Sequence, residues 1–158
     1  MEIHELSALE LAASLARGDV GAVEVLEHTE ARIAGAGAEV GAFAHATPEH
    51  AREQAQSADT ALAEARRDGT YGSLPPFLGV PCPIKDLNQV AGQPFEAGSA
   101  LLRGNVAMVD DGVVTLLREA GTVMVGKTTT PEFGFPCYTE PVMGPAARTP
   151  WDLTLTAG

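Results

Sequence analysis

The chain changes composition near residue 70, and this change constrains its fold more than any other feature. Alanine dominates the helical-looking first part, whereas proline, glycine, threonine and valine become frequent from about Leu74. Alanine favours helices, and β-branched runs between glycines and prolines favour short strands and loops. The sequence therefore predicts an α/β chain that is mainly helical over 1–70 and has strands, a helix and a long loop over 71–158.

The first part contains start and stop signals for three helices. A Ser-x-x-Glu capping box opens a helix at Ser7, and Gly18 stops it. Apolar residues at helical spacing predict a second helix over Ala22 to Ile33. A third, polar helix is predicted from Thr47-Pro48 through Arg67. Its narrow packing stripe consists of Ala55, Ala58, Leu62 and Ala65.

The second part contains shorter elements in α/β order. Leu78 to Ile84 is β-like, Asp110-Asp111 begin a helix over Val113 to Ala120, and Thr122 to Val125 read as a buried strand. Five prolines follow Thr128, and they predict a long loop without regular structure.

Charge and cysteine content exclude several kinds of partner. The net charge of −11 repels phosphate backbones and anionic lipid headgroups, so we expect neither nucleic acid nor membrane as a partner. An acidic N-terminus without an apolar segment predicts a cytoplasmic protein. Cys82 and Cys137 are too few for a disulfide framework or a zinc site, so reduced thiols, no metal and no cofactor are expected.

Residues 121–128 match the phosphate-loop pattern G-x-x-x-x-G-K-[ST]. That mechanism needs a strand before the first glycine, a loop after it and a helix at the Gly-Lys. Here a helix precedes Gly121, an apolar strand follows it, and Pro131 interrupts the expected phosphate-binding helix. The sequence therefore argues against nucleotide binding.

The run from Leu78 to Lys85 is hydrophobic and ends in a lysine. Alternation along a strand puts Lys85 and Asp86 on opposite faces, so the acid is not an automatic partner for the amine. Burial would lower the pKa of such an amine and make it a usable general base. The alternative is a strand-end lysine that extends into water.

Several short motifs occur in a fixed order, and together they resemble the start of an amidase-signature enzyme. These are residues 77–87, Ala97-Gly98-Ser99, Asp110 to Val114, Ala120-Gly121, Gly126-Lys127-Thr128, Pro131-Glu132-Phe133-Gly134, Thr139-Glu140-Pro141 and Pro150-Trp151-Asp152. The chain departs from the family at Phe95-Glu96, where small threonines are usual, and at Thr149, where an asparagine commonly stands.

The resemblance implies N-terminal helices followed by the first part of a mixed β-sheet, incomplete in this chain, with 1–158 forming the N-terminal part of a single domain. It also implies a Ser-cisSer-Lys triad in which Lys85 is the base and both serines lie after Gly158. Gly134 and Phe135 would line the substrate pocket, and Lys127 would be a structural lysine at the edge of the sheet. Ser99, in a structural loop of the family, lacks the surroundings of a nucleophile.

The function implied by the resemblance is hydrolysis of a linear or cyclic amide. The expected partners are a small-molecule amide, the remainder of the same polypeptide and possible further copies of the chain, and the chain alone is expected to be inactive. Two alternatives stay open: a glutamine-hydrolysing amidotransferase of the A type, and a non-catalytic binding or assembly fragment. Burial of large aromatics further predicts that Trp151 anchors its loop.

Overall fold

The computed structural model describes residues 2–157. Four α-helices and five strands occur in this part of the chain: α1 Ala8–Arg17, α2 Ala22–Arg32, β1 Phe43–Ala46, α3 Pro48–Asp68, β2 Pro81–Lys85, α4 Gly112–Glu119, β3 Val123–Thr128, β4 Arg148–Thr149 and β5 Asp152–Thr156. The predicted α/β class is confirmed. Helices α1 and α2 precede the sheet, whereas β1, which belongs to the sheet, lies between α2 and α3 in the part predicted to be mainly helical.

The helices begin where their local signals stand. The Ser7 hydroxyl accepts from the Glu10 N–H, and the Glu10 carboxylate accepts from the Ser7 N–H, which completes the predicted capping box. The Ser7 hydroxyl also donates to the Glu10 carboxylate at 2.7 Å, and this bond, together with the one from the Ser7 N–H, holds the pKa of Glu10 below its ordinary value. Helix α3 begins at Pro48, but the Thr47 side chain does not cap it; the hydroxyl instead donates to the Met124 carbonyl.

Strand β3 is the centre of a three-stranded sheet with the order β1-β3-β2. It pairs antiparallel with β1 and parallel with β2. Its neighbours on both sides leave it almost wholly buried, which agrees with the apolar sequence of Thr122 to Val125. Lys127 therefore lies near the end of a buried strand, as expected, but this strand is the central one and not an edge strand of the sheet.

Helices pack against both faces of the sheet. One core joins α1, α2 and α3 to Val123 and Val125 of β3 and to Val80, which directly precedes β2. A smaller core joins Met124 and Ile84 to α4 through Val114. Alternate residues of β3 thus face opposite helical layers, as the twofold side-chain period of a strand requires.

The proline-rich segment contains a hairpin that its sequence did not lead us to expect. Strands β4 and β5 pair antiparallel across the turn at Pro150 and Trp151. The proline stands in the turn, where no strand hydrogen bond needs its missing N–H. Trp151 is 93% exposed at this turn, so the expectation that it is buried as an anchor is wrong.

Within residues 2–157, no helix combines the length and apolar character that crossing a membrane demands. Both cysteines are free thiols. Burial raises the pKa of the Cys82 thiol above its ordinary value, which favours the protonated and unreactive form.

Candidate active site

Lys85 is the last residue of β2, at the end of the sheet where the parallel strands β2 and β3 both finish. Its carbonyl accepts from the Asn88 N–H at 2.9 Å, which turns the chain away from the strand. Its side chain is exposed, and within residues 2–157 no hydrogen bond or ion pair holds the amine. Of the two alternatives that the sequence left open, a desolvated amine and a strand-end lysine that extends into water, the structure shows the second.

The side chain of the next residue, Asp86, points to the other side of the strand and is buried. One carboxylate oxygen, Oδ1, accepts from Lys127 Nζ at 2.8 Å, and the other, Oδ2, accepts from the Glu96 N–H at 3.2 Å. The Asp86 N–H donates to the Thr128 carbonyl at 3.1 Å. Asp86 is therefore bonded to β3 and to the loop at Glu96.

Lys127 is the buried lysine of the chain, with a side-chain exposure of 0% against 2% for Asp86. Its Nζ also donates to the Pro94 carbonyl at 2.9 Å and lies 5.6 Å from the centre of the Phe95 ring. An anion, a carbonyl and an aromatic face thus surround the ammonium, which compensates much of the cost of removing it from water.

A bulge at Gly126 explains why Lys127 faces Asp86. Cys82 pairs with Met124 and Ile84 pairs with Lys127, so β3 has one more residue than β2 over this interval. Without the extra residue, alternation would direct Lys127 away from the Met124 side. A Cβ on Gly126 would lie 2.5 Å from the His45 carbonyl oxygen, so the bulge needs a glycine.

The same geometry rejects the phosphate-loop interpretation. Helix α4 precedes Gly121, and Val123–Thr128 is a strand where a phosphate loop requires an open turn. The Lys127 amine is committed to Asp86 instead of facing a ligand. This outcome agrees with the expectation from the sequence.

Ser99 is fully buried and cannot serve as an exposed nucleophile. Its hydroxyl donates to Glu132 Oε1 at 2.7 Å and accepts from the Leu101 N–H. This bond ties the loop at Ser99 to the short 3-10 turn Glu132–Gly134. The residue is a structural link, as its sequence surroundings indicate.

Gly134 and Phe135 lie in the segment that follows β3. A Cβ on Gly134 would approach Leu87 Cδ1 to 2.9 Å, so the glycine sits against the turn that directly follows Lys85. Phe135 is 87% exposed. The contact brings this segment close to the Lys85 turn, but the role of either residue in binding substrate stays a prediction.

Phe95 and Glu96, two of the three residues that depart from the family pattern, have definite contacts here. Phe95 lies over Lys127, and the Glu96 carboxylate accepts from the Gly104 N–H at 2.7 Å and lies 3.1 Å from His45 Nε2. The unusual pair Phe95-Glu96 therefore encloses the buried ion pair and ties its loop to β1.

A large cavity lies elsewhere in the described part of the chain. A space of about 640 Å³ opens beside Thr122 and Val123, at the opposite end of β3 from Lys85, and His50 lines it. Burial lowers the pKa of His50, and the nearby Arg118 adds to that effect. This cavity brings together none of the predicted site residues.

The chain contains two lysines, and their opposite exposures can be measured directly. A short pulse of an acetylating ester should modify Lys85 at least about ten-fold faster than Lys127, because Lys127 reacts only when its surroundings open. Peptide mass spectrometry reads both sites, and a urea-unfolded sample supplies the control in which the two rates converge. Equal rates in the folded chain would contradict the burial of Lys127.

The comparisons with known proteins agree with this architecture. The amidase family model matches residues 24–158. A protein of Synechocystis sp. described as an amidase is 40% identical over 153 residues, covering 97% of this chain and 30% of that protein. The A-type component of the glutamyl-tRNA(Gln) amidotransferase of Salinispora arenicola is 38% identical over 158 residues, covering 99% of this chain and 31% of that protein.

Solved structures give the same result. A bacterial aryl acylamidase of the amidase-signature enzymes superposes with a TM-score of 0.85 at 25% identity, covering 97% of this chain and 31% of that one. A 6-aminohexanoate cyclic dimer hydrolase superposes with a TM-score of 0.82 at 28% identity, covering 97% of this chain and 29% of that one.

The fold thus defines a mixed α/β chain in which helices precede and flank a small sheet, with Lys85 at one end of that sheet. The chain belongs to the amidase family, whose members include the amidase-signature enzymes. It spans about 30% of the length of the two curated relatives, from Synechocystis and Salinispora.

Proposed function

We propose that this chain contributes the general base, Lys85, to an enzyme that hydrolyses amides by a Ser-cisSer-Lys triad. The observation that carries the proposal is the placement of Lys85: its backbone is fixed at the end of the sheet, while its amine is exposed and unbonded among residues 2–157. A base must reach the proton it removes, and this amine is accessible.

The resemblance supplies the remaining steps of the proposed reaction. The Lys85 amine accepts a proton from the relay serine, which takes one from the nucleophilic serine. The nucleophile attacks the amide carbonyl, the C–N bond breaks, and the leaving amine receives the proton. Water then hydrolyses the acyl-enzyme by the same groups in reverse. Both serines belong, in this proposal, to an amidase-length protein that includes this chain.

Substrate binding is proposed at Gly134 and Phe135. Gly134 touches the turn after Lys85, and the exposed ring of Phe135 is available to an apolar part of an amide. A small-molecule amide is therefore the proposed substrate class.

The 158-residue chain alone is expected to hydrolyse no amide, because a base without a nucleophile offers no covalent route. The measurement is release of amine or ammonia from an aryl amide, an aliphatic amide and glutamine by the purified chain. The amidase-length protein, assayed beside it, is the positive control. If the 158-residue chain hydrolyses an amide and still does so after Lys85→Ala, the proposed role of Lys85 is wrong.

A glutamine-dependent amidotransferase component is the second candidate. It is favoured by the 38% identity to the A-type component of such an enzyme over 99% of this chain. In that case the amide is glutamine, and the released ammonia passes to another protein of the complex. The amidase-length protein should then release ammonia from glutamine and leave aryl amides untouched; the reverse selectivity favours the amidase.

A further inference from the structure

We infer that the buried Lys127–Asp86 ion pair positions Lys85 for proton transfer. Lys127 is thus a positioning residue: it acts through Asp86 and the backbone, without touching substrate. The inference rests on the proposed role of Lys85 as the base.

The position of Lys85 depends on its neighbours in the chain. Its side chain makes no hydrogen bond or ion pair within residues 2–157. The position of the side chain is therefore fixed only by the backbone that carries it. Asp86 holds that backbone through three contacts, which are its N–H to Thr128, its Oδ1 to Lys127 and its Oδ2 to the Glu96 N–H. Loss of the Lys127 contact leaves the buried Asp86 carboxylate without its counter-charge and frees it to shift.

The bulge makes this contact a determinant of register. The strands β2 and β3 are out of step between Cys82 and Ile84, so pairing before the bulge does not enforce pairing after it. A slip of one residue would turn Asp86 outward and Lys85 inward. The Lys127–Asp86 pair lies on the Lys85 side of the bulge, and it can form in only one of these registers.

An apolar pair would fill the same space without the desolvation cost of two charges. The ion pair adds a fixed geometry that apolar side chains lack. A displacement of about 1 Å in a catalytic group can cost about 10²-fold in rate. The pair therefore matters for rate beyond its contribution to stability.

The test compares three variants in the amidase-length protein: Lys127→Met, Asp86→Asn and the double variant Lys127→Met with Asp86→Leu. We expect Lys127→Met to lower kcat about 10- to 100-fold with KM changed less than about three-fold. Asp86→Asn keeps the shape of the side chain and should lower kcat about ten-fold. The double variant should recover the melting temperature without recovering kcat. Arg118→Met, which breaks the half-exposed ion pair with Asp110, is the matched control and should keep the wild-type kcat.

A purely structural role predicts that kcat returns together with the melting temperature in the double variant, and that result overturns the inference. Wild-type kcat in a folded Asp86→Asn protein also overturns it. Failure of all three variants to fold would make the pair a determinant of folding alone, which again rejects the inference.

A Lys85→Ala arm separates this inference from the proposed function. If Lys85→Ala keeps the wild-type rate, the proposed base is wrong and the inference falls with it. If Lys85→Ala is inactive while the Lys127 and Asp86 variants keep kcat, only the inference fails.

Discussion

Lys85→Ala in the amidase-length protein is expected to lower kcat/KM for amide hydrolysis by about 10²–10⁴-fold, the usual contribution of a general base. The fold should be unaffected, because the side chain is exposed and makes no hydrogen bond or ion pair among residues 2–157. Its loss should change the free energy of unfolding by no more than about 0.5 kcal/mol. Steady-state kinetics and urea unfolding of the same preparation measure both effects.

Two further substitutions sharpen this prediction. Lys85→Arg keeps a positive charge but cannot accept a proton near neutral pH, so it should be as inactive as Lys85→Ala. Arg67→Ala removes an exposed cation at the end of α3 and should leave the rate unchanged. Wild-type activity in a folded Lys85→Arg protein would show that Lys85 supplies only charge.

Lys127→Met is expected to lower the free energy of unfolding by about 3–5 kcal/mol, the cost of leaving one partner of a buried ion pair alone. Asp86 has a side-chain exposure of 2%, so water cannot replace the lost ammonium without rearrangement. The measurement is equilibrium urea unfolding of a sample shown by circular dichroism to be folded.

The double variant Lys127→Met with Asp86→Leu is the control for this stability effect. Removing both charges removes the uncompensated one, so most of the lost stability should return. A loss below about 1 kcal/mol for Lys127→Met alone, a value typical of exposed ion pairs, would contradict the buried pair.

The helices were predictable because their signals are local. Ser7 and Glu10 complete a capping box within one turn, and Pro48 starts α3 at the predicted residue. The order of α4 and β3 also follows from adjacent residues, and this order was enough to reject the phosphate-loop pattern.

The buried ion pair was not predictable in the same way. Asp86 and Lys127 are distant in sequence, and they meet only because a bulge at Gly126 changes the face on which Lys127 lies. Simple alternation along a strand does not reveal that change, so burial was considered for Lys85, the lysine at the end of the hydrophobic run, and not for Lys127.

The hairpin of β4 and β5 had a signal that the prolines obscured. Residues 152–156 alternate polar and apolar side chains, which is the pattern of a strand with one exposed face. Trp151 was expected to be buried because large aromatics usually are, but its place in the turn exposes it.

The central position of β3 also sets an order of events during synthesis. Strands β1 and β2 have no partner in the three-stranded sheet until the ribosome has released the residues from Val123 onward. The hydrogen bonds between turns of helices α1 to α3 are local, so these helices can form earlier, whereas the sheet waits for a distant segment. The nascent chain therefore carries two unpaired strands until β3 has been synthesised, an interval in which a chaperone that binds exposed strands would act.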